Sequence, residues 1–306
     1  MSSQLIELSN ALAQATDQAA AAVVAVHTEP HGSSSGVVWR PGVIVTSDHA
    51  LRRDEEIQVT LPDGRVVAAA LAGRDPSTDL AVLKCSEATV AVKEFGEAAT
   101  IKPGGLTLVV GRTRASGPVA ALGVVSLMAA ERKTWTGASL SPYIRLDVAI
   151  QPTAAGGAAI DAQGRTYGVV TPRFGRFGAI TIPASTINVV VDTLLQKGRI
   201  PRGYLGVGLQ PVRLPDSLRQ SLHLEEKTAA IVLEIEPSSP AHSAGLVIGD
   251  IIVSLSGKAV ARLEDIHSQL QGTAIGKSVP LGFVRGGALK ETTITIGEQI
   301  HVHGDK

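Results

Sequence analysis

The chain has 306 residues, with 28 Lys and Arg set against 28 Asp and Glu, 44% hydrophobic residues and only 3% aromatic ones. The length favours two domains over one, with cores built from Val, Ile, Leu and Ala. Zero net charge argues against a nucleic-acid binder and gives no pull toward an anionic membrane surface, and the single cysteine, Cys85, excludes an internal disulfide.

In chain order the first expected element is a helix over residues 9–21, capped by Ser9 and rich in Ala, Leu and Gln. The amino end has no basic stretch ahead of an apolar one and carries Glu7 and Asp17, so it does not read as a signal peptide. No apolar run approaches the ~18 residues that span a bilayer. The expectation is a soluble chain without membrane insertion, cytoplasmic as written or exported with its leader absent.

From Ala22 the pattern changes to short runs of Val, Ile and Leu broken by turn residues: GVVWR and VIVTS around Pro41-Gly42, EIQVTL and RVVAAAL around Pro62-Asp63-Gly64, then LAVLKC and LTLVVG. VAALGVVSLM, YIRLDVAI, RTYGVVT and GAITIPA follow. Many short strands at regular spacing, with glycine-rich corners, predict an all-β sandwich or barrel. Cys85 closes one of these runs and reads as a buried structural thiol. Ser185 is expected to cap a helix to about Lys197, with Ile187, Val190, Val191, Leu194 and Leu195 inward and Gly198 ending it. A Pro/Gly/Arg stretch near residue 200 marks a boundary, and the remaining strands and one helix suit a small separate domain.

Two titratable residues stand at strand ends: His49 closes VIVTSDHAL and Asp79 precedes LAVLK. Each alone reads as a surface or turn-capping residue. Together, followed by the Gly-Gly loop of AIQPTAAGGAAI, they follow the chain order of one Ser-His-Asp arrangement. There the His takes a proton from a serine, the Asp fixes the imidazole tautomer, and loop N–H groups hold an oxyanion.

VIVTSDHAL resembles the histidine segment of the HtrA/Deg serine proteases, and GRDPSTDLAVLK their aspartate segment. LDVAIQPTAAGGAAIDAQGRTYGVVT resembles their nucleophile segment, and ITIPASTINVVVDTLLQKGRIPRGYLGV the passage into their PDZ domain. The resemblance runs over about residues 8–298. It implies a mainly β chain, a trypsin-like double β-barrel followed by a small α+β PDZ domain. The expected divisions are 1–21 N-terminal helical segment, 22–200 protease domain, 201–299 PDZ domain and 300–306 tail. His49 would be the general base, Asp79 its orienter, and the N–H groups of Thr153 and Ala155 the oxyanion hole.

The resemblance breaks at one position that matters most. Where the family reads Gly-Asn-Ser-Gly-Gly-Pro, residues 153–158 read Thr-Ala-Ala-Gly-Gly-Ala, so Ala155 stands at the nucleophile position and Thr153 at a glycine. Losing such a nucleophile removes on the order of 10⁶ in turnover. Two explanations stand: a deliberate serine-to-alanine knockout, or a natural pseudoprotease serving as scaffold, adaptor or chaperone. Retention of His49 and Asp79 favours the first; the further changes at 153, 154 and 158 favour the second. Either way the chain is expected to bind unfolded or extended polypeptides and carboxy-terminal peptides without cutting them.

By the same resemblance, Ile150 and the segment RFGRFGAITIP line the pocket for the residue before a scissile bond, and a small aliphatic side chain is the expected occupant. In the PDZ domain Tyr204, Leu205, Gly206 and Val207 would present N–H groups to a peptide carboxylate, beside a helix face of Leu263, Ile266 and Leu270 that serves both core and groove. The family commonly forms homotrimers. His301 and His303 have a spacing that suits metals, yet no carboxylate or cysteine accompanies them, so a plain tail is the reading and neither metal nor cofactor is expected.

Overall fold

A computed structural model describes residues 3–28, 32–51, 54–134, 138–175, 178–270 and 274–298. The chain divides into two units, Met1–Ile200 and Pro201–Lys306. The first opens with helix α1 (Ser3–Ala20), six residues longer at its start than the sequence suggests. Ser9 therefore lies inside the helix rather than capping it. Ser3 donates its hydroxyl to Glu7 one turn on. The helix docks by its last turns: Ala19 and Ala20 are buried, and Leu12 and Ala15 pack beside them.

Two closed barrels follow. The first has β1 (Val23–Thr28), β2 (Gly32–Arg40), β3 (Val43–Ser47), β4 (Ile57–Thr60), β5 (Val66–Asp75) and β6 (Leu80–Lys84), in the order β1-β2-β3-β6-β5-β4. The second is built from β7 (Leu106–Thr113) and β8 (Gly117–Ala129), then, after a small hairpin of β9 (Arg132–Lys133) and β10 (Ser139–Leu140), from β11 (Tyr143–Asp147), β12 (Ala158–Ile160), β13 (Thr166–Thr171) and β14 (Ala179–Pro183). Its strand order is β11-β14-β13-β12-β7-β8. Closure leaves no unpaired strand edge, so alternating side chains can fill an interior on one face and a seam on the other. The barrels meet over Trp39, Val45, Leu80, Val82, Val110 and Ile180, all at or below 1% exposure. Each large aliphatic side chain buried there contributes about 1.5–3 kcal/mol.

Helix α2 (Ala184–Lys197) closes this unit. It begins one residue before the expected Ser185, with Pro183 in the cap position and no side chain bonded to its first N–H groups. Its buried face is Ile187, Val190, Val191 and Leu194, and Gly198 ends it at φ +70°, giving its N–H to Leu194.

The second unit holds β15 (Gly203–Tyr204) paired with β22 (Gly297–Glu298), and a sheet of β16 (Val207–Arg213), β17 (Thr228–Ile235), β18 (Ile251–Leu255), β20 (Ser278–Arg285) and β21 (Ala288–Thr295), with β19 (Lys258–Ala259) against β18. Three helices complete it: α3 (Asp216–Leu222), α4 (Pro240–Ser243) and α5 (Leu263–Gln269). β16 is an edge strand, and α5 packs near it.

Candidate active site

The strand β3 is apolar along Val43-Ile44-Val45 and is drawn into the barrel, which leaves its end to turn outward. A 3₁₀ turn, Asp48–Ala50, carries His49 out of the barrel. Arg74 of β5 brackets that turn: Nη1 donates to Asp48 Oδ1 (2.9 Å), Asp48 O (3.2 Å) and Leu51 O (2.9 Å), and Nε donates to Asp54 (2.8 Å). Burial pushes the Asp48 carboxyl above its ordinary value, against the pull of Arg74.

Asp79 arrives from the other side through a tight turn. Buried Asp75 organises it by accepting the hydroxyls of Ser77 and Thr78, each at 2.6 Å. Asp79 itself sits at φ +58°, a left-handed conformation that Asp tolerates better than most residues. Its side chain is fully buried. Oδ1 accepts the His49 backbone N–H (2.9 Å), and Oδ2 accepts His49 Nδ1–H (2.7 Å) and the Thr171 hydroxyl. Arg173 Nη1 lies 3.7 Å from Oδ1. A carboxylate acceptor on Nδ1 places the ring proton there and leaves Nε2 as the basic nitrogen.

The loop between β11 and β12 is stitched into the same region. Its 3₁₀ turn, Pro152–Ala154, ends at Ala155, which is 2% exposed. Ala155 O accepts the Ser35 N–H (2.8 Å), Gly156 donates to Val170 O (2.8 Å), and Val170 donates to Gly157 O (2.9 Å). Gly156 adopts φ +80°, and a Cβ there would lie 2.2 Å from Ser35 O and 2.8 Å from Ser47 N, so only glycine fits. That close approach seats the loop against Ser47, two residues from His49.

The structure therefore joins His49 and Asp79 directly and sets the Ala155 loop beside the end of the strand that carries His49. The two N–H groups expected to form an oxyanion hole are arranged differently. Ala155 N–H goes to Pro152 O (3.2 Å), and Thr153 O is held by Ser35 Oγ (2.6 Å). Ile150 is partly buried beside the second barrel's core, whereas Arg176 and Phe177 of the expected pocket lie outside the described residues. So do His301 and His303. Sequence alone gives no individual role to Thr171, Arg74 or Ser35, and places Arg173 only within the pocket segment RFGRFGAITIP. A cleft of about 460 Å³ lies elsewhere, lined by Gln18, Ala22, Val92, Lys93, Gln163 and Thr166.

In the second unit, Leu205 O accepts Ala241 N–H and Gly206 O accepts Glu236 N–H, both at 2.9 Å. In trans peptides, carbonyls tied inward turn the N–H groups of Gly206 and Val207 the other way. Gly206 sits at φ +77°, with Ser239 Cβ only 2.1 Å from where a side chain would begin. Tyr204 donates its hydroxyl to Glu236, and that bond, with lesser help from burial, pushes the phenol up to about 12. Ile266 is 2% exposed, Leu263 and Leu270 pack partly buried beside it, and Leu270 falls one residue past the end of α5.

Two closed six-stranded barrels with a His-Asp pair at their meeting point, joined to this small sheet-and-helix unit, define a trypsin-like protease domain followed by a PDZ domain. A family model for the trypsin-like peptidase domain matches residues 34–169, and one for the PDZ domain matches residues 203–296. The chain is 32% identical over 278 residues to a probable periplasmic serine endoprotease, DegP-like, of Brucella suis, covering 88% of this chain and 53% of that one. A second such relative, of Bartonella henselae, is 33% identical over 261 residues, covering 83% and 50%. The chain thus spans about half the length of the curated relatives it matches. Among solved structures, the HtrA-type protease AlgW with decapeptide is 26% identical with a TM-score of 0.73, covering 94% of this chain and 99% of that one. The serine endoprotease from Yersinia pestis gives the same identity and TM-score over 94% and 98%. This chain carries an HtrA/DegP-family trypsin-like domain plus a PDZ domain.

Proposed function

We propose that the protein is an HtrA-type peptide-binding protein that holds unfolded or extended polypeptides and does not cleave them. What supports this is Ala155: it stands where the resemblance puts the nucleophile that a His-Asp pair would serve, and its side chain is a methyl group, which cannot attack a carbonyl. The outward N–H groups of Gly206 and Val207, the open edge of β16 and the neighbouring face of α5 support carboxy-terminal peptides as ligands by strand addition. The similar AlgW was solved with a decapeptide, which fits the same reading.

A second reading is that of a serine endopeptidase lacking only its serine. What favours it is the His49–Asp79 geometry, with ring and backbone of one residue bonded to both oxygens of the other. On either reading the test mixes the protein, as it is, with an unfolded protein and with a short peptide bearing a free or an amidated carboxy-terminus. Binding of the free-carboxylate form, loss of binding on amidation, and an uncut unfolded protein after long incubation are expected. Cleavage by this chain, or equal binding of both peptides, would overturn the proposal.

A further inference from the structure

The turn at Pro152–Ala155 does more than lack a hydroxyl. Ala155 N–H is one of the donors an oxyanion would need, and it is spent inside the turn on Pro152 O at 3.2 Å. The peptide unit joining Pro152 to Thr153 therefore points its oxygen toward Ala155 N and its own N–H the opposite way, as a trans peptide must. Ser35 Oγ holds the next carbonyl, Thr153 O, at 2.6 Å.

Turning the Thr153 N–H to the same side as that of Ala155 requires the 152–153 peptide to rotate by about half a turn, a motion taken up by ψ of Pro152 and φ of Thr153. Thr153 lies in a 3₁₀ turn and outside the left-handed region. The rotation would carry its φ to the positive side. Glycine occupies that side readily; a β-branched residue does not. Thr153 Oγ1 is buried with no hydrogen-bond partner among the described residues, so the hydroxyl gives no polar reason there for threonine at this place.

We infer that Thr153 is a positioning residue that locks the loop with its own N–H turned away and the Ala155 N–H occupied, so that the site is disabled twice, by Ala155 and independently by Thr153. The inference rests on the trypsin-like reading of the site, but not on peptide binding by the PDZ domain. It means that returning a serine at residue 155 does not by itself return a working site.

The test uses the full chain as Ala155→Ser, Ala155→Ser/Thr153→Gly, Ala155→Ser/Thr153→Asn and Ala155→Ser/Thr153→Val, each treated with a fluorophosphonate. In labelling, the introduced hydroxyl oxygen bonds to phosphorus, the P–F bond breaks, fluoride leaves and His49 takes the proton. The phosphoryl oxygen needs the same donors as an oxyanion. One such donor is worth about 10²–10³ in rate. Labelling at least about a hundredfold faster in the Thr153→Gly combination than in Ala155→Ser alone is expected. Asn, which tolerates the left-handed region, should fall between, and Val, which keeps the branched shape, should stay slow. Equal rates across the set, including no labelling of any variant, would overturn the inference.

A second measurement needs no nucleophile. In the unmodified chain the amide proton of residue 155 is buried and bonded, and Thr153→Gly should raise its exchange rate at least tenfold while Thr153→Val leaves it unchanged. Undiminished protection in Thr153→Gly would equally count against the lock. Because peptide affinity is read separately on the parent chain, failure of the binding proposal and failure of this one are told apart.

Discussion

Asp79 grips His49 at two points, taking the backbone N–H on one carboxylate oxygen at 2.9 Å and the ring Nδ1–H on the other at 2.7 Å. Position and tautomer of the imidazole are thus set by one fully buried side chain. Asp79→Asn would replace one acceptor with an NH₂ group facing the Nδ1–H and Thr171 O–H donors. The ring should switch to the Nε2–H tautomer, visible in its ¹⁵N shifts, with a stability loss of about 1–3 kcal/mol in urea unfolding. An unchanged tautomer would show that the carboxylate does not orient the ring.

Arg74 is expected to matter through the turn rather than through any ligand. Arg74→Met leaves Asp48 and two turn carbonyls without their donor, and should lower stability by about 2–4 kcal/mol at pH 7. The pH dependence has a definite sign. Asp48 is already raised by burial, so its ionised form opposes folding, and losing Arg74 raises it further. The penalty should therefore shrink as pH falls and Asp48 takes up a proton. Arg74→Lys should recover only part, since one ammonium cannot reach acceptors on Asp48, Leu51 and Asp54 together.

The PDZ domain should show the opposite response to acid. Asp250 accepts Arg285 Nε and Nη2, each at 2.7 Å, and Val247 N–H at 2.8 Å. Burial pushes its carboxyl up, but those bonds outweigh the push and hold it below its ordinary value. A lowered folded value stabilises above the unfolded value of about 3.9, and that stabilisation is lost as pH falls through the folded one. Protection of the amides of β17 and β18 relative to their intrinsic exchange rates should fall on acidification, and Asp250→Asn should lower the same protection at pH 7 with little further change on acidification.

Arg112 ties the amino-terminal helix down. Buried, with burial lowering its guanidinium from the ordinary value, it donates to Ala20 O (2.9 Å), the last residue of α1, and to Val23 O (2.6 Å). A cation at a helix carboxy-terminus also suits the helix dipole. Arg112→Met should speed amide exchange throughout α1 and cost about 1–2 kcal/mol. Exchange in α1 that stays at the parent rate would mean the helix is anchored by the packing of Leu12, Ala15, Ala19 and Ala20 without Arg112.

Much of the architecture was legible because it follows local pattern. Apolar runs between turn residues became barrel strands, Gly42 and Gly64 took the positive φ that hairpin turns need, and Gly198 ended α2. His49 and Asp79 were legible because each stands at a strand end beside a recognisable run. Arg74, Thr171, Arg173 and Ser35 were not, since their partners lie on other strands and meet them only once the barrels close. The start of α1 was misplaced because Ser9 carries a capping signal, yet Leu5, Ile6 and Leu8 extend the helix before it. Segment likeness points the Ala155 N–H at an oxyanion; its partner, Pro152 O, depends on backbone torsions that likeness does not carry.

Ser35 draws these threads through one point. Its hydroxyl receives the Arg112 N–H of β7 and gives its own proton to Thr153 O, its N–H holds Ala155 O, and its carbonyl takes the Thr46 hydroxyl. A strand of the first barrel is thereby knotted to a strand of the second and to the loop between β11 and β12. Sliding of one barrel past the other cannot leave that loop unmoved. The seam and the loop behave as one mechanical part, so a ligand wedged between the barrels would be felt at residue 155 without touching it.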